Sequence, residues 1–352
     1  MTNVWKLCLA ASASALLSVT ASVRADGRVQ GSGATFPAPL YAKWTQAYND
    51  KHPDVKVDYS AIGSGGGIKA ITDRVVQFAG SDAPMTKDQE AKAPAPLIHL
   101  PTVAGPVVLT YNLPGLQGDI KIDGEALAGI YLNKITQWND AKLAALNPGI
   151  TLPNAPIVVV HRSDGSGTTF VFTNYLSKVS GDWKDNVGNA TSVQWPTGLG
   201  GKGNDGVAAA VKNTQGGIGY IELAYAIKNK LPFATQFNKD GKEVRASIAG
   251  VESAIAHSVT EFPADLKVSI TDASGPESYP ICGFTYYIIY DDLSYLKDKA
   301  LAQQTMDFIN WCETDGQGTA NELGYAKLPK DAQDKVLAKI KAVKFDGETL
   351  VK

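Results

Sequence analysis

Three short segments rich in Gly, Ser and Thr each lead into a helix-like stretch, and they restrict the possible folds more than any other feature of the chain. The fullest is HRSDGSGTTF, His161 to Phe170, which follows the apolar run Ile157 to Val160. A continuous run of that kind is the pattern of a strand covered on both faces. After Gly165-Ser166-Gly167-Thr168 come Phe170, Val171, Tyr175 and Leu176 at helical spacing. A helix start presents unpaired backbone N–H groups and the positive end of the dipole, which together suit an anion. Ser166 and Thr168 can add hydroxyl donors and Arg162 a forked cation. Asp164, two residues from Arg162, can pair with the guanidinium and orient it. GSGATFPAPLYAKW, Gly31 to Trp44, has the same form, with Pro37 where a first helical turn tolerates it. IGSGGGIKAI, Ile62 to Ile71, is the third, placed after the alternating Val55, Val57, Tyr59 and Ala61, with Ser64 at its mouth. One such turn is ordinary helix capping. Three in one chain suggest several helix starts converging on one anion.

Nucleotide and hydrolase readings of these turns fit poorly. None has the spacing G-x-x-x-x-G-K-[ST], and the run Gly63 to Gly67 lacks the full dinucleotide fingerprint. Gly165-Ser166-Gly167 is one residue short of G-x-S-x-G, and His161 reads better as a strand-end residue than as a base. Asp82, in FAGSDAPM, is the odd member. A carboxylate beside an anion repels it unless the ligand brings a proton. Monohydrogen phosphate does; sulfate at neutral pH does not, and would leave an unpaired acceptor costing several kcal/mol.

The 352 residues exceed one usual domain, so two are expected. Strand-like and helix-like segments alternate, as in an α/β protein with open sheets. Pro106 to Leu109 and Tyr286 to Tyr290 read as strands, Leu127 to Trp138 as an amphipathic helix, and Ser294 to Trp311 as another. The stretches 190–205 and 271–278 read as loops. Residues 1–25 have the basic start, apolar middle and small-residue end of a cleavable signal peptide, so a soluble, unanchored periplasmic protein is expected. No other segment reaches the roughly 20 apolar residues that span a bilayer. A net charge of −2 gives no footprint for nucleic acid. The four scattered histidines offer no metal site, and no cofactor is expected. Cys8 leaves with the signal, so Cys282 and Cys312 remain in an oxidising compartment. A helix returning antiparallel over its own sheet would bring them together. Their disulfide is therefore expected, worth about 3–4 kcal/mol in the chain-entropy model.

GSGATFPAPLYAKW, GSGGGIKAI, FAGSDAPM, RSDGSGTTFVFTNYL, WPTGLGGKGNDGVA and GGIGYIELAYA occur together, in order, from Gly31 onwards. In this the chain resembles the periplasmic phosphate-binding proteins of Pst-type ABC transporters. The resemblance implies a type II periplasmic binding protein fold, two α/β lobes joined by a two-segment hinge with phosphate in the cleft. It places one lobe in residues 26–105 plus 281–352 and the other in 106–280. It assigns the phosphate contacts to Thr35, Phe36 (through its backbone N–H), Ser64, Asp82, Arg162, Ser166, Gly167 (backbone) and Thr168. Asp164 is the partner of Arg162. The partners implied are the permease subunits and ATPase of an importer, served by a monomer that is not an enzyme. Gly65 to Gly67 stand where the family is serine-rich, and residues 238–278 match least well. From the residues alone, a binding protein for another tetrahedral oxyanion and a secreted phosphoesterase using Ser166 stay open.

Overall fold

The computed structural model describes residues 27–351, and the expected signal segment, residues 1–25, lies outside the described residues. Eight strands build the main sheet: β1 (Gly27–Gly33), β2 (Val55–Ala61), β3 (Phe78–Ser81), β4 (Leu97–Tyr111), β5 (Val158–Arg162), β6 (Leu199–Gly201), β7 (Gly217–Glu222) and β8 (Cys282–Tyr290). Their order across the sheet is β2-β1-β3-β8-β4-β7-β5-β6. β1 pairs in parallel with β2 and β3, and β5 in parallel with β6 and β7. Two parallel α/β lobes are thus joined through the antiparallel strands β8 and β4.

β4 is shared. From Leu97 to Pro106 it pairs with β8, and from Val107 to Tyr111 with β7. The partner changes at Pro106, a residue with no N–H to give a ladder. A second crossing of the chain lies alongside, where the Tyr279 hydroxyl donates to Val107 O at 3.0 Å and Val107 N–H to Ile281 O at 2.7 Å. All but the first two residues of β4 are buried, as its apolar sequence requires.

On one face of the first lobe, Tyr41, Trp44, Tyr48, Phe78, Tyr287 and Phe308 form a buried aromatic cluster with ring centroids 4.7–5.6 Å apart along its closest pairs. The helix Ala38–Lys51 supplies the first three, at the spacing seen in its sequence. On the opposite face the segment around Phe262 to Val268 covers Phe284 and Tyr286: Phe262 meets Phe284 edge-on at 5.6 Å, and the Tyr286 hydroxyl donates to Val268 O at 3.3 Å.

These two faces correct the disulfide expectation. Cys282 and Cys312 are both free and buried. Cys312, near the end of the helix Lys299–Glu313, accepts from the Tyr287 hydroxyl at 3.7 Å. Side chains alternate along a strand, so Cys282 and Tyr287, five positions apart, point to opposite faces of the sheet. Cys282 instead directs its thiol at Tyr279 O, 3.2 Å away. The helix does return over its sheet, but over the wrong face for a bond.

Two helix expectations are also trimmed. The helical pattern from Leu127 to Trp138 is a helix only over Gly124–Tyr131, because Asn133 turns the chain with φ 60°. Ile135 and Trp138 are nonetheless buried. The expected helix from Ser294 opens as a 3-10 turn, Ser294–Leu296, and restarts at Lys299 after Lys297 at φ 54°. The stretch 190–205, read as a loop, contains β6 and the start of the helix Gly203–Asn213.

Candidate anion-binding site

Thr35, Ser64, Asp82, the turn after Arg162 and Asn204 each follow the C-terminal end of a parallel strand, where open α/β sheets place ligands. β1 leads to Thr35 and Phe36, β2 to Ser64, β3 to Asp82, β5 to the turn Ser163 to Thr168, and β6 to Gly203 and Asn204. The structure brings every one of the expected contact residues into one buried region. Ser64, Ser166 and Thr168 are fully buried, and Asp82, Arg162 and Thr35 nearly so.

The walls from the two lobes touch. Gly167 N–H donates to Ser64 Oγ at 3.0 Å, and Gly65 N–H to Gly165 O at 2.9 Å. A Cβ at Gly167 would lie 2.4 Å from Asp82 Oδ2, and one at Gly63, where φ is +89°, would lie 2.3 Å from Asp164 Oδ2. Only glycine permits either approach.

The cation is held rigidly. Arg162 Nε and Nη2 donate to the two carboxylate oxygens of Asp164, both at 2.7 Å, in the bidentate geometry that fixes a guanidinium plane. Asp164 also accepts from Gly203 N–H at 3.1 Å. Burial pushes the Asp164 carboxyl up, but the Arg162 bonds and charge outweigh it and hold the pKa below the usual value. Arg162 Nη1 reaches Thr168 Oγ1 at 3.3 Å. Asp164 therefore aims Arg162, leaving the far side of the fork toward the turn.

Asp82 is the opposite case. Burial raises its pKa from 3.8 to about 7, against the opposing effects of the Thr285 hydrogen bond, the Arg162 charge and Ser64. Oδ1 accepts from the Thr285 hydroxyl at 2.7 Å. Oδ2 is buried with no hydrogen-bond partner among the described residues. Buried acceptors are seldom left so.

Two residues belong to the site that the sequence reasoning left out. Thr285, on β8, holds Asp82 across 203 positions. Asn204, fully buried in the first turn of the helix Gly203–Asn213, donates from Nδ2 to Thr35 Oγ1 at 2.8 Å and to Thr168 Oγ1 at 3.1 Å. Asn204 lies inside the quoted stretch WPTGLGGKGNDGVA, but nothing local marks it. Ser166 Oγ accepts from Thr169 N–H at 3.0 Å as a helix cap. The His161 ring stacks on Trp195 at 4.8 Å with Nδ1 against Arg162 O, and no hydrogen bond joins it to Ser166. Among the described residues no group of three His, Cys, Asp or Glu side chains is placed to hold a metal ion.

A parallel-stranded, two-lobed frame with helix starts, one aimed cation and one acceptor at the lobe junction defines a binding protein of the PBP type. Consistent with that class, residues 18–315 match the family model described as a PBP superfamily domain. The chain is 42% identical over 325 residues to the phosphate-binding protein PstS of Pasteurella multocida, covering 92% of this chain and 93% of that one. It is 43% identical over 303 residues to PstS of Xylella fastidiosa strain Temecula1, covering 86% and 82%. The fold matches the crystal structure of a phosphate-binding protein from Stenotrophomonas maltophilia with a TM-score of 0.69 at 20% identity, over 91% of this chain and 96% of that one. The chain belongs to the PstS family of phosphate-binding proteins.

Proposed function

We propose that this protein binds inorganic phosphate outside the cytoplasm and delivers it to the permease subunits and ATPase of an ABC-type importer. The observation that carries this reading is Asp82 Oδ2, a buried, unpartnered acceptor in a site otherwise built of donors. An oxyanion bearing a proton satisfies it; one without a proton leaves it desolvated and unpaired. The contacts are Thr35 Oγ1, Phe36 N–H, Ser64 Oγ, Asp82, Arg162, Ser166 Oγ, Gly167 N–H and Thr168 Oγ1, with Asp164 orienting Arg162. Fixed dipoles and the Arg162 charge replace the ion's hydration shell when the lobes close around it.

The lobes comprise residues 26–105 plus 281–352 and 106–280. The change of pairing partner at Pro106 supports this division, with one refinement: the stretch around Phe262 to Val268 rides on the first lobe's sheet. The hinge has two segments, at Pro106 and at Tyr279 to Cys282. Binding rather than catalysis fits Ser166, whose oxygen is used to cap a helix while the His161 ring stacks on Trp195 instead. The protein acts as a periplasmic monomer released by cleavage of residues 1–25. Among the described residues no helix is long and apolar enough to cross a membrane.

Calorimetric titration of the ligand-free protein with phosphate, sulfate and molybdate tests the assignment. Phosphate binding with sulfate rejected is the expected result. Equal binding of sulfate would move the protein to the wider class of oxyanion receptors.

A further inference from the structure

We infer that Asn204 is a positioning residue that fixes the hydroxyl protons of Thr35 and Thr168 as donors to the bound anion, without itself touching it. The inference rests on the phosphate-binding reading above. A hydroxyl has one proton and two acceptor lone pairs, and its proton rotates to suit its neighbours. Beside an anion the wrong rotation turns a donor into a repulsive lone pair.

Thr35 Oγ1 accepts twice from Asn204, from the backbone N–H at 3.2 Å and from Nδ2 at 2.8 Å. Both lone pairs are engaged, so the proton is directed elsewhere. Thr168 Oγ1 accepts from the other Nδ2 hydrogen at 3.1 Å and from Arg162 Nη1 at 3.3 Å, with the same consequence. The orientation of the amide is determined too. Its Oδ1 accepts from Glu222 N–H at 2.9 Å, and since that backbone group can only donate, the NH2 must face the two threonines. One buried side chain thereby sets two hydroxyls, one following β1 and one in the turn after β5.

Asn204 and Thr35 lie in opposite lobes, 169 positions apart. Lys202 provides no side-chain cap for the helix Gly203–Asn213, and Thr35 Oγ1 takes one of its first-turn N–H groups instead. Closure of the lobes therefore both caps this helix and polarises Thr35. The donor on the first lobe is oriented by a residue of the second.

The test is titration of purified wild type, Asn204→Ala and Asn204→Asp with phosphate and arsenate, with thermal melts to confirm folding. Asn204→Ala is expected to weaken both anions by the same factor, about 30-fold, the size of two neutral hydrogen bonds redirected. Asn204→Asp keeps the shape and the acceptor for Glu222 N–H but draws both threonine protons to itself, so a larger loss is expected. It carries the test if the alanine variant does not fold. In a Thr35→Val, Thr168→Val background, Asn204→Ala is expected to cost less than about 3-fold, since its targets are gone. Undiminished loss in that background assigns Asn204 a structural role and overturns the inference. So does wild-type affinity in Asn204→Asp. If wild type itself binds no phosphate, the functional reading fails, and this inference with it.

Discussion

Asp82 and Asp164 lie in opposite walls of one site, yet burial governs one and pairing governs the other. Asp164 has a guanidinium fork on both oxygens and a pKa below the usual range; Asp82 has one hydroxyl partner and a pKa near 7. The two carboxyls therefore do different work for an anion. Asp164 is satisfied in the absence of any ligand and holds a cation in place. Asp82 keeps an oxygen unsatisfied that only a proton-bearing partner completes. On the proposed reading, charge attracts the oxyanion class and the unfilled acceptor selects within it.

The largest effect is expected from removing what the two walls share. Arg162→Ala should weaken phosphate binding by about 2–5 kcal/mol, because it strips a buried charge partner from the anion and leaves Asp164 nearly unpaired. Calorimetry checks the size, and an effect below about 1 kcal/mol would break the division of labour between the walls.

Asp82→Asn comes next. Its amide can donate where the carboxylate could only accept, so the preference for phosphate over sulfate should shrink by about 1–3 kcal/mol while the fold is kept. In wild type the same preference should narrow from pH 8 to pH 5, since Asp82 gains a proton below about pH 7 and can then donate to sulfate. The variant should show no such narrowing. Competition titrations at the two pH values decide it.

Asp164→Ala acts chiefly through Arg162, and a loss of about 1–2 kcal/mol is expected. Combined with Arg162→Ala, the losses should fall well short of their sum. Strict additivity would show that Asp164 does something besides aim the guanidinium.

A further contrast appears in the stability of the ligand-free protein. Asp82 has a raised folded-state pKa, so its contribution is full below about pH 4 and is lost as pH rises through about 7. Asp164 has a lowered one, so its contribution is present above the ordinary carboxylate pKa and is lost as pH falls below it. Melting curves of Asp82→Asn should thus gain on wild type between pH 5 and pH 8. Those of Asp164→Asn should approach wild type as pH falls toward 3. Parallel trends in the two variants would remove the contrast.

What the sequence disclosed followed the range of the interactions. Arg162, Asp164, Ser166, Gly167 and Thr168 fall within seven consecutive positions, so their cooperation could be read directly, and the glycine turns marked the helix starts. Thr285 and Asn204 could not be found that way. Their roles come from contacts spanning 203 and 169 positions, and a single Thr in an apolar strand or Asn after a glycine carries no local sign of them. The disulfide failed for a related reason. Proximity of a helix to its strand was foreseeable, but the face of the sheet it covers was not. At Asn133, hydrophobic spacing continued through a turn because Ile135 and Trp138 stay buried beyond the end of the helix.

Strand β4 also has a mechanical meaning. Because one continuous strand is stitched into both halves of the sheet, any bending of one half against the other would have to pass through its backbone. Pro101 and Pro106 leave gaps in the stitching, and opposite Thr285 and Tyr286 the register slips past Thr102. The breaks in the pairing are thereby concentrated within a few residues of the junction. Thr285, which grips Asp82, sits on the partner strand at that slip. A shift at that slip would therefore reach the Asp82 carboxyl through a single hydroxyl.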